Sequence, residues 1–463
     1  MNTSTPGENE TIFHGNILPL TIRLGAPILI SYLFLTLYFM IDTYFISRID
    51  PSSTALLSGT ALVFPVITLY SAAGMGICTG MASLISRGIG EKNKTMIETA
   101  SGSGIFIVVV FCLATLVPGY FFSQGILKIL AGSALSDEAL SHGRDYFLFL
   151  LPGLSVILLL HVAFGIFQGE GRMTHIGVAS VLAGVLNIIL DPLLIFGCHM
   201  GVSGAALATG ISYGVSLLYA VIVFSTGRFT VPLRLGPETV NRATVLEIIR
   251  VGVPESLSMV SLALVFIVMN NLVSSIGESV MNAWSICSRL DTFVVIPAYA
   301  IAAATLTLVG QNFGRKNMRR VSHIYHLNMA AGVVAVLGFA LVYMALAPLL
   351  FPWFSALDEV VVAAVRQVRL ISFSFVGVSG VAVSAALFQG TGRPVPALSI
   401  RLIRIVVLIF LPAFVLARYF GLGMTGIFAG IIFGNTLILF VAWAWTGAYI
   451  RKLIDEHCAI FSP

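Results

Sequence analysis

Charged residues are scarce in this sequence. Of its 463 residues, 10% are Asp, Glu, Lys or Arg and 58% are hydrophobic, whereas soluble domains carry roughly 25% charged residues. So few charges do not supply the polar surface that a soluble protein of this length needs. The composition therefore argues against a soluble protein and predicts an integral membrane protein.

Cysteine pairs and catalytic signatures are also lacking. The five cysteines are scattered, mostly in apolar runs, and none has the paired spacing of a zinc or redox site. The sequence contains no HExxH and no Gly-x-Ser-x-Gly, and its glycine turns GEGR and GTGR are not followed by GK[ST]. Neither an enzyme nor a cofactor-binding protein is predicted.

Twelve apolar segments follow one another along the chain, each longer than the roughly 20 residues that cross a bilayer. Residues 1–10 are polar and lack the basic region of a cleaved signal peptide, so the first segment is expected to be retained. The segments are 17–47, 54–86, 95–118, 144–168, 174–197, 202–225, 245–274, 281–310, 321–347, 366–389, 394–418 and 424–450. The prediction is an all-α, multi-pass membrane protein.

The positive charges orient these segments. If the N-terminus is inside, most of the 25 Lys and Arg residues fall at inner ends, in loops such as GEKNK and GRKNMRR. An excess of positive charge marks the cytoplasmic side of a membrane protein. Both termini are therefore predicted to be cytoplasmic, with the protein in the inner or plasma membrane. The basic loops are interpreted as topology signals, and no nucleic-acid partner is expected.

The sequence also repeats itself. FQGEGR, which begins at Phe167, returns as FQGTGR 221 residues later. GIGEKN, from Gly88, returns as NFGRKN after 224 residues, and the Gly-x-Pro that begins at Gly25 returns after 227. Collinear matches at slowly drifting spacing indicate the tandem duplication of a six-helix unit.

The duplication predicts two lobes of six helices. Because six is even, the halves share one orientation and are related by a pseudo-two-fold axis along the membrane normal. The predicted regions are an N-terminal lobe at 1–225, a cytoplasmic linker at 226–244, a C-terminal lobe at 245–450 and a cytoplasmic tail at 451–463. Such lobes commonly enclose a cleft and rock to give alternating access.

Three carboxylates lie well inside predicted spans: Asp42, Asp191 and Asp291. A charge at this depth is costly, so its default interpretation is a functional site that faces a cavity. Asp42 and Asp191 lie about five or six residues from the outer ends of their segments, roughly 8–9 Å below the boundary. Asn187 lies one turn before Asp191 on the same helical face, and Thr209 lies at a similar depth.

Pro192 adds a backbone group to this set, because proline cannot donate a hydrogen bond to the carbonyl of Ile188. Carboxylates, an amide, a hydroxyl and a free carbonyl form an oxygen-rich set that suits a proton or Na⁺. The alternative is a buried polar cluster that only joins the helices. The sequence predicts a proton- or Na⁺-coupling site formed by Asp42, Asn187, Asp191 and Thr209.

The sequence resembles the multidrug and toxic compound extrusion (MATE) family over essentially its whole length. The resemblance is carried by GAPILISYLFLTLYFMIDTYF, RGIGEKN, FQGEGR, NIILDPLLIFG, GVSGAALAT and the second-half GVP and VGQNFGRKN. It implies a twelve-helix antiporter that exports amphipathic, often cationic small molecules in exchange for H⁺ or Na⁺. In the DinF-like branch the coupling residues fall at positions that match Asp42 and Asp191.

Two departures from the family pattern are informative. Leu262 stands where NorM-like members carry a glutamate, which favours the DinF-like branch. Phe164 stands where an asparagine often occurs in that branch, and His161, one turn earlier, is able to replace some of its polarity. Tyr38, His161 and Phe164 are accordingly candidate residues of the substrate cavity.

Pro27 interrupts the hydrogen-bond ladder of the first helix and predicts a bend there. The family resemblance likewise implies coupling through a bend of this helix. Asp291, two residues after Arg289, is interpreted as one partner of an internal ion pair rather than as a coupling residue.

Two other functions remain open at the level of sequence. A flippase for a lipid-linked precursor would need basic residues to hold a diphosphate, and Arg289, Arg401 and Arg404 are the candidates. A non-transporting membrane partner or receptor would not need the buried Asp42–Asp191 arrangement. The expected protein is a monomer whose partners are an amphipathic small molecule and the lipid bilayer.

Overall fold

The computed structural model describes residues 7–50, 55–131, 136–233 and 236–461. Arg234, one of the basic residues assigned to the inner side, lies outside these ranges, as do residues 1–6 and 462–463. In the described part of the chain the regular structure is helical, without strands. The predicted all-α class is therefore confirmed.

Among the described residues, twelve helices are long and apolar enough to cross a membrane, in agreement with the predicted number. We label them in chain order. They are α1 (Ile17–Ser47), α2 (Ser58–Glu91), α3 (Lys94–Phe121), α4 (Asp137–Glu170), α5 (Thr174–Gly197), α6 (Gly201–Ser225), α7 (Arg242–Ser274), α8 (Glu278–Gly314), α9 (Met318–Trp353), α10 (Asp358–Gly390), α11 (Pro394–Arg418) and α12 (Gly423–Glu456).

Several helices are longer than the apolar segments from which they were predicted. Polar residues at their ends form additional helical turns, which side-chain caps stabilise. Ser136 accepts a hydrogen bond from the Ala139 N–H at 3.2 Å and begins α4 seven residues before the apolar segment does. Such side chains satisfy N–H groups that have no partner within the helix. Apolarity therefore locates the spans, and capping sets their ends.

The backbone confirms the internal repeat independently of residue identity. Lys92 and Lys316, 224 positions apart, both have left-handed backbone conformations with φ of 55° and 60°. The residue after each is an asparagine that caps the next helix: Asn93 accepts from the Met96 N–H, and Asn317 from the Arg320 N–H. The duplicated motif thus specifies the same turn twice.

The described residues form two compact units. These units differ from the predicted lobes at the starts of two helices, α1 and α7, each of which belongs to the other unit. Of the described residues, those within 30–256 lie in the first unit, and residues 7–29 and 257–461 lie in the second. The start of α1 therefore packs with the second sequence half, and the start of α7 packs with the first. The predicted lobe boundaries, 1–225 and 245–450, differ from the compact units at these two helices.

Close backbone approaches explain the exchange. A Cβ on Gly25 would lie 3.3 Å from the carbonyl oxygen of Ala300 in α8, within the second unit. A Cβ on Gly252 would lie 2.6 Å from the carbonyl oxygen of Gly76 in α2, within the first unit. Gly25 and Gly252 are the repeated glycines of the Gly-x-Pro motif, so the motif permits the same close crossing in each unit.

The segments that precede α1 and α7 are anchored within the same units. Arg320 donates to the carbonyl oxygens of Ile12, at 3.1 Å, and Gly15, at 2.6 Å, in the second unit. In the first unit, the buried Glu170 carboxylate accepts from the Val231 N–H at 2.6 Å. Each anchor uses charge-assisted bonds, which are stronger than neutral ones.

Gly76→Ala is expected to destabilise the first unit. The added methyl group would lie 2.7 Å from the carbonyl oxygen of Gly252 and would also meet Ser256 Oγ, so α7 must move outward. The matched control is Gly338→Ala in α9, where no atom lies within 4 Å of the added Cβ. We expect the melting temperature to fall by several degrees in Gly76→Ala only. Equal melting temperatures for both variants and wild type would contradict this account of the crossing.

Candidate cation site

The four predicted coupling residues lie on three helices of the first unit. Asp42 is on α1, Asn187 and Asp191 are on α5, and Thr209 is on α6. Their exposed fractions are 8%, 1%, 0% and 3%, respectively. Bulk water therefore does not solvate these polar groups in the observed arrangement, and their partners must come from the protein or a bound species.

Hydrogen bonds join the side chains of Asn187, Asp191 and Thr209. They also include Tyr38, which was predicted for the substrate cavity. Asn187 Nδ2 donates to Asp191 Oδ1 at 3.2 Å and lies 3.4 Å from Thr209 Oγ1. Tyr38 Oη and Thr209 Oγ1 are 3.2 Å apart. The network runs from α1 through α6 to α5, so it connects the helices that carry the candidate residues.

Three buried acceptor oxygens within this set have no hydrogen-bond partner among the described residues. They are Asp42 Oδ1, Asn187 Oδ1 and Asp191 Oδ2. The Asp42 and Asp191 carboxyl groups also interact electrostatically with one another. Buried acceptors are normally satisfied. A bound proton or a monovalent cation would satisfy them and reduce the repulsion between the carboxylates.

Two tyrosines that the sequence reasoning missed border the same cluster. Tyr146 of α4 interacts electrostatically with both Asp42 and Asp191. Tyr213 of α6 packs edge-on against Tyr38, with ring centroids 6.4 Å apart. Tyr213 lies one turn after Thr209 on the same helix, so helical spacing could have identified it. Tyr146 had no comparable signal, because only the fold brings α4 to the cluster.

Local backbone features allow α1 and α6 to approach α5. A Cβ on Gly204 would lie 2.9 Å from the carbonyl oxygen of Leu194, and a Cβ on Gly184 would lie 3.4 Å from the Phe34 ring. A π-helical turn, Leu193–Gly197, directly follows Pro192. The wider turn lies after the proline, and the free carbonyl predicted at Ile188 stays a prediction. Wider turns of this kind often mark functional positions in helices.

His161 and Phe164, the other two cavity candidates, contact one another rather than the carboxylates. Their ring centroids are 6.0 Å apart, and His161 Nδ1 lies 2.8 Å from the carbonyl oxygen of Ile157. The imidazole also packs closely against Gly74 of α2. Both side chains are half-buried. Tyr38 therefore belongs to the cation cluster by contact, and the roles of His161 and Phe164 stay predictions.

Pro27 lies inside α1, which is helical throughout Ile17–Ser47. The division between the compact units falls between Leu29 and Ile30. The proline is therefore two residues from the point at which α1 passes from one unit to the other. Asp42 lies on the same helix, fifteen residues after Pro27.

The interpretation of Asp291 as the partner of Arg289 is wrong. Arg289 is exposed, whereas Asp291 Oδ1 is buried and the side chain interacts with Tyr343 of α9. Residues two positions apart lie on different faces of a helix. Helical geometry therefore separates the two charges and turns Asp291 into the core of the second unit.

The donor set limits which cation fits. No group of three or more His, Cys, Asp or Glu side chains with metal-site geometry occurs among the described residues. The first-unit cluster instead offers carboxylate, amide and hydroxyl oxygens. Hard oxygen ligands suit alkali and alkaline-earth cations rather than zinc or copper. The cluster thus fits a proton or Na⁺ better than a transition metal.

Comparison with known proteins identifies the family. The MatE family model matches residues 27–193 and 254–415, one match in each sequence half. The chain belongs to the MatE family. The family signature is therefore duplicated in this chain, in agreement with the repeat found in the sequence and the backbone.

Several known transporters and export proteins are similar to nearly the whole chain. The multidrug export protein MepA of Staphylococcus haemolyticus is 26% identical over 442 residues, which cover 94% of this chain and 95% of the relative. A multidrug resistance MATE family transporter of the MOP superfamily, solved in an outward-facing conformation, is 25% identical, with a TM-score of 0.90 over 98% of this chain and all of the other. The MATE transporter ClbM, solved in complex with Rb⁺, is 26% identical, with a TM-score of 0.84 over 96% and 99% of the chains.

Proposed function

We propose that this MATE protein is a secondary active antiporter that exports amphipathic, often cationic compounds in exchange for H⁺ or Na⁺. The observation that carries the proposal is the set of unsatisfied oxygens on Asp42, Asn187 and Asp191. Buried ionisable groups in membrane helices are costly, which favours a functional role over a structural one. The site is protein-made and needs no cofactor or catalytic group.

The relatives support multidrug export and a site for a monovalent cation. MepA is named for multidrug export, and ClbM was solved with Rb⁺, a monovalent cation. The first-helix aspartate and the NIILDP stretch also fit the DinF-like branch better than the NorM-like one. We propose that the protein lies in the plasma membrane with both termini cytoplasmic, because the sequence assigns most Lys and Arg residues to one side. We expect it to be a monomer.

The alternatives have less support. A flippase would need several basic groups to hold a diphosphate, but Arg289, one of the three candidates, is exposed and leaves only Arg401 and Arg404. A receptor without transport activity would not require two interacting buried carboxylates. Export coupled to a cation accounts for both the site and the relatives.

The coupling mechanism uses the bound cation to stabilise one conformation over another. When Asp42 and Asp191 are both ionised, their repulsion must be offset by Asn187 or by a cation. When a proton occupies the pair, the contacts of α1 with α5 and α6 change. Only a difference in affinity between two conformations allows a cation to drive such a change. Pro27 supplies a position at which α1 is able to bend.

The proposal is tested by dye export in proteoliposomes. Purified protein is reconstituted, loaded with a fluorescent amphipathic cation and exposed to a proton gradient, a Na⁺ gradient or no gradient. We expect export above that of protein-free liposomes with one gradient and little export without either. Export that ignores both gradients would reject the antiport proposal.

Pro27→Ala is expected to weaken coupling more than substrate binding. Alanine restores the missing N–H donor and straightens the helix, while the cation site fifteen residues away keeps its residues. Gradient-driven export should fall several-fold, with the dye dissociation constant within about twofold of wild type. A matched loss of affinity and export would make Pro27 a packing residue only.

A further inference from the structure

Arg404 occupies an unusual place in the second unit. It lies ten residues after the first residue of α11 and fourteen before the last, about 15 Å and about 21 Å along the helix. A hydrocarbon core is about 30 Å thick, so the arginine lies near the middle of the span rather than at a membrane surface. Charged groups at this depth are rare and usually functional.

The positive charge of Arg404 has no carboxylate partner among the described residues. Its described hydrogen bond runs from Nε to Asn435 Oδ1 at 2.9 Å. The other charged or ionisable groups near it are Tyr299 of α8 and Arg401, one turn earlier on α11. Arg401 adds positive charge, so the surroundings do not neutralise the guanidinium.

A chain of hydrogen bonds holds the guanidinium in a fixed orientation. Ser374 Oγ donates to the carbonyl oxygen of Ile371 at 2.6 Å, and Asn435 Nδ2 donates to Ser374 Oγ at 3.2 Å. Asn435 is 1% exposed. With its amide nitrogen engaged in this way, Asn435 presents its oxygen to Arg404 Nε. The two Nη groups make no hydrogen bond to the described residues and stay available as a fork.

The helix backbones around Arg404 are also shaped for this arrangement. Arg404 lies in a π-helical segment, Ile403–Phe410. A Cβ on Gly434 would lie 2.5 Å from the carbonyl oxygen of Leu408, so α12 crosses this segment at close range. The next residue, Asn435, is the one that orients the arginine. In the other sequence half, α5 carries its π-helical turn beside Asp191, so equivalent helices hold opposite charges.

We propose that Arg404 binds an oxyanion of the transported molecule, namely the carboxylate, sulfonate or phosphate of an amphipathic substrate. A guanidinium fork matches such planar or tetrahedral oxygens in two parallel hydrogen bonds. Its depth favours cargo over the phosphate of a bilayer lipid, which lies at the membrane surface. The inference rests on the proposed export function and extends it to substrates that carry an anionic group beside a cationic or apolar one.

The test compares two probes that differ only in this group: rhodamine B, which has a free carboxylate, and its ethyl ester. Equilibrium binding to purified protein is measured by fluorescence anisotropy, without a gradient. Arg404→Gln should weaken binding of the carboxylate roughly tenfold or more and leave the ester within about twofold. Arg404→Lys, which keeps the charge and loses the fork, should give an intermediate loss for the carboxylate. Arg418→Gln, at the exposed end of the same helix, is the matched control and should affect neither probe.

Each outcome decides the proposal. Equal losses for both probes, or no loss in Arg404→Gln and Arg404→Lys, would overturn it. The same binding measurement is repeated in phosphatidylcholine vesicles with and without phosphatidylglycerol. If Arg404→Gln weakens carboxylate binding only when phosphatidylglycerol is present, Arg404 binds a lipid headgroup, and the cargo assignment is overturned. Because binding is measured without a gradient, failure of antiport would leave the carboxylate-to-ester ratio interpretable.

Discussion

Asp191→Asn is expected to reduce gradient-driven dye export to the level of protein-free liposomes, with the protein still folded. Asparagine keeps the size of the side chain and an acceptor oxygen for Asn187 Nδ2, which now lies 3.2 Å from Asp191 Oδ1. It removes the charge that a proton or Na⁺ would neutralise. Because an uncompensated buried charge is unfavourable, the melting temperature should stay equal to that of wild type or rise.

The matched control for this variant is Asp145→Asn. Asp145 lies in α4 of the same unit and is exposed, so the same chemical change there leaves the cluster untouched. Export by Asp145→Asn should equal that of wild type. Full export by Asp191→Asn, or an equal loss in the two variants, would remove Asp191 from the coupling site.

Asp42→Asn is expected to hold α1 in one conformation. The substitution fixes a neutral side chain at the position where Asp42 Oδ1 is buried without a described partner. If the charge state of Asp42 determines whether α1 bends, a permanently neutral group abolishes the response of α1 to pH or Na⁺. Export is then lost as well. The expected defect is therefore conformational as well as functional.

Spin labels at Leu18 and Tyr44 report on this bend, since both are exposed and both lie on α1. In a straight helix the 26 residue steps from Leu18 to Tyr44 span about 39 Å, and a bend shortens that distance. Double electron–electron resonance should show a distance distribution that shifts with pH or Na⁺ in wild type and in Asp145→Asn. An unchanged shift in Asp42→Asn would end the α1 mechanism.

Sequence pattern was sufficient wherever a local rule determines the structure. The twelve spans follow from apolar length, and the paired left-handed turns at Lys92 and Lys316 follow from one duplicated motif. The contact of Asn187 with Asp191 follows from helical spacing within α5. In each case a few consecutive residues contain the whole signal.

Packing between residues far apart in the sequence could not be predicted in this way. Hydropathy does not say which helix a glycine approaches, so the crossings of Gly25 with Ala300 and of Gly252 with Gly76 appear only in the fold. Tyr146 joins the cluster because α4 packs beside α5 and α6. The ion pair between Arg289 and Asp291 was predicted from their nearness in sequence. It does not form, because Asp291 is buried and Arg289 is exposed.

A cation at the Asp42–Asp191 cluster drives export only if the cation and the substrate favour different conformations, so that binding of one releases the other. The most direct measurement is the release of that cation when substrate binds to purified protein in weakly buffered detergent solution. A pH indicator follows protons, and a sodium-selective electrode follows Na⁺. We predict that an amphipathic cation displaces one of the two from wild type and neither from Asp191→Asn. Substrate binding without release from wild type, or undiminished release from the variant, would contradict the claim.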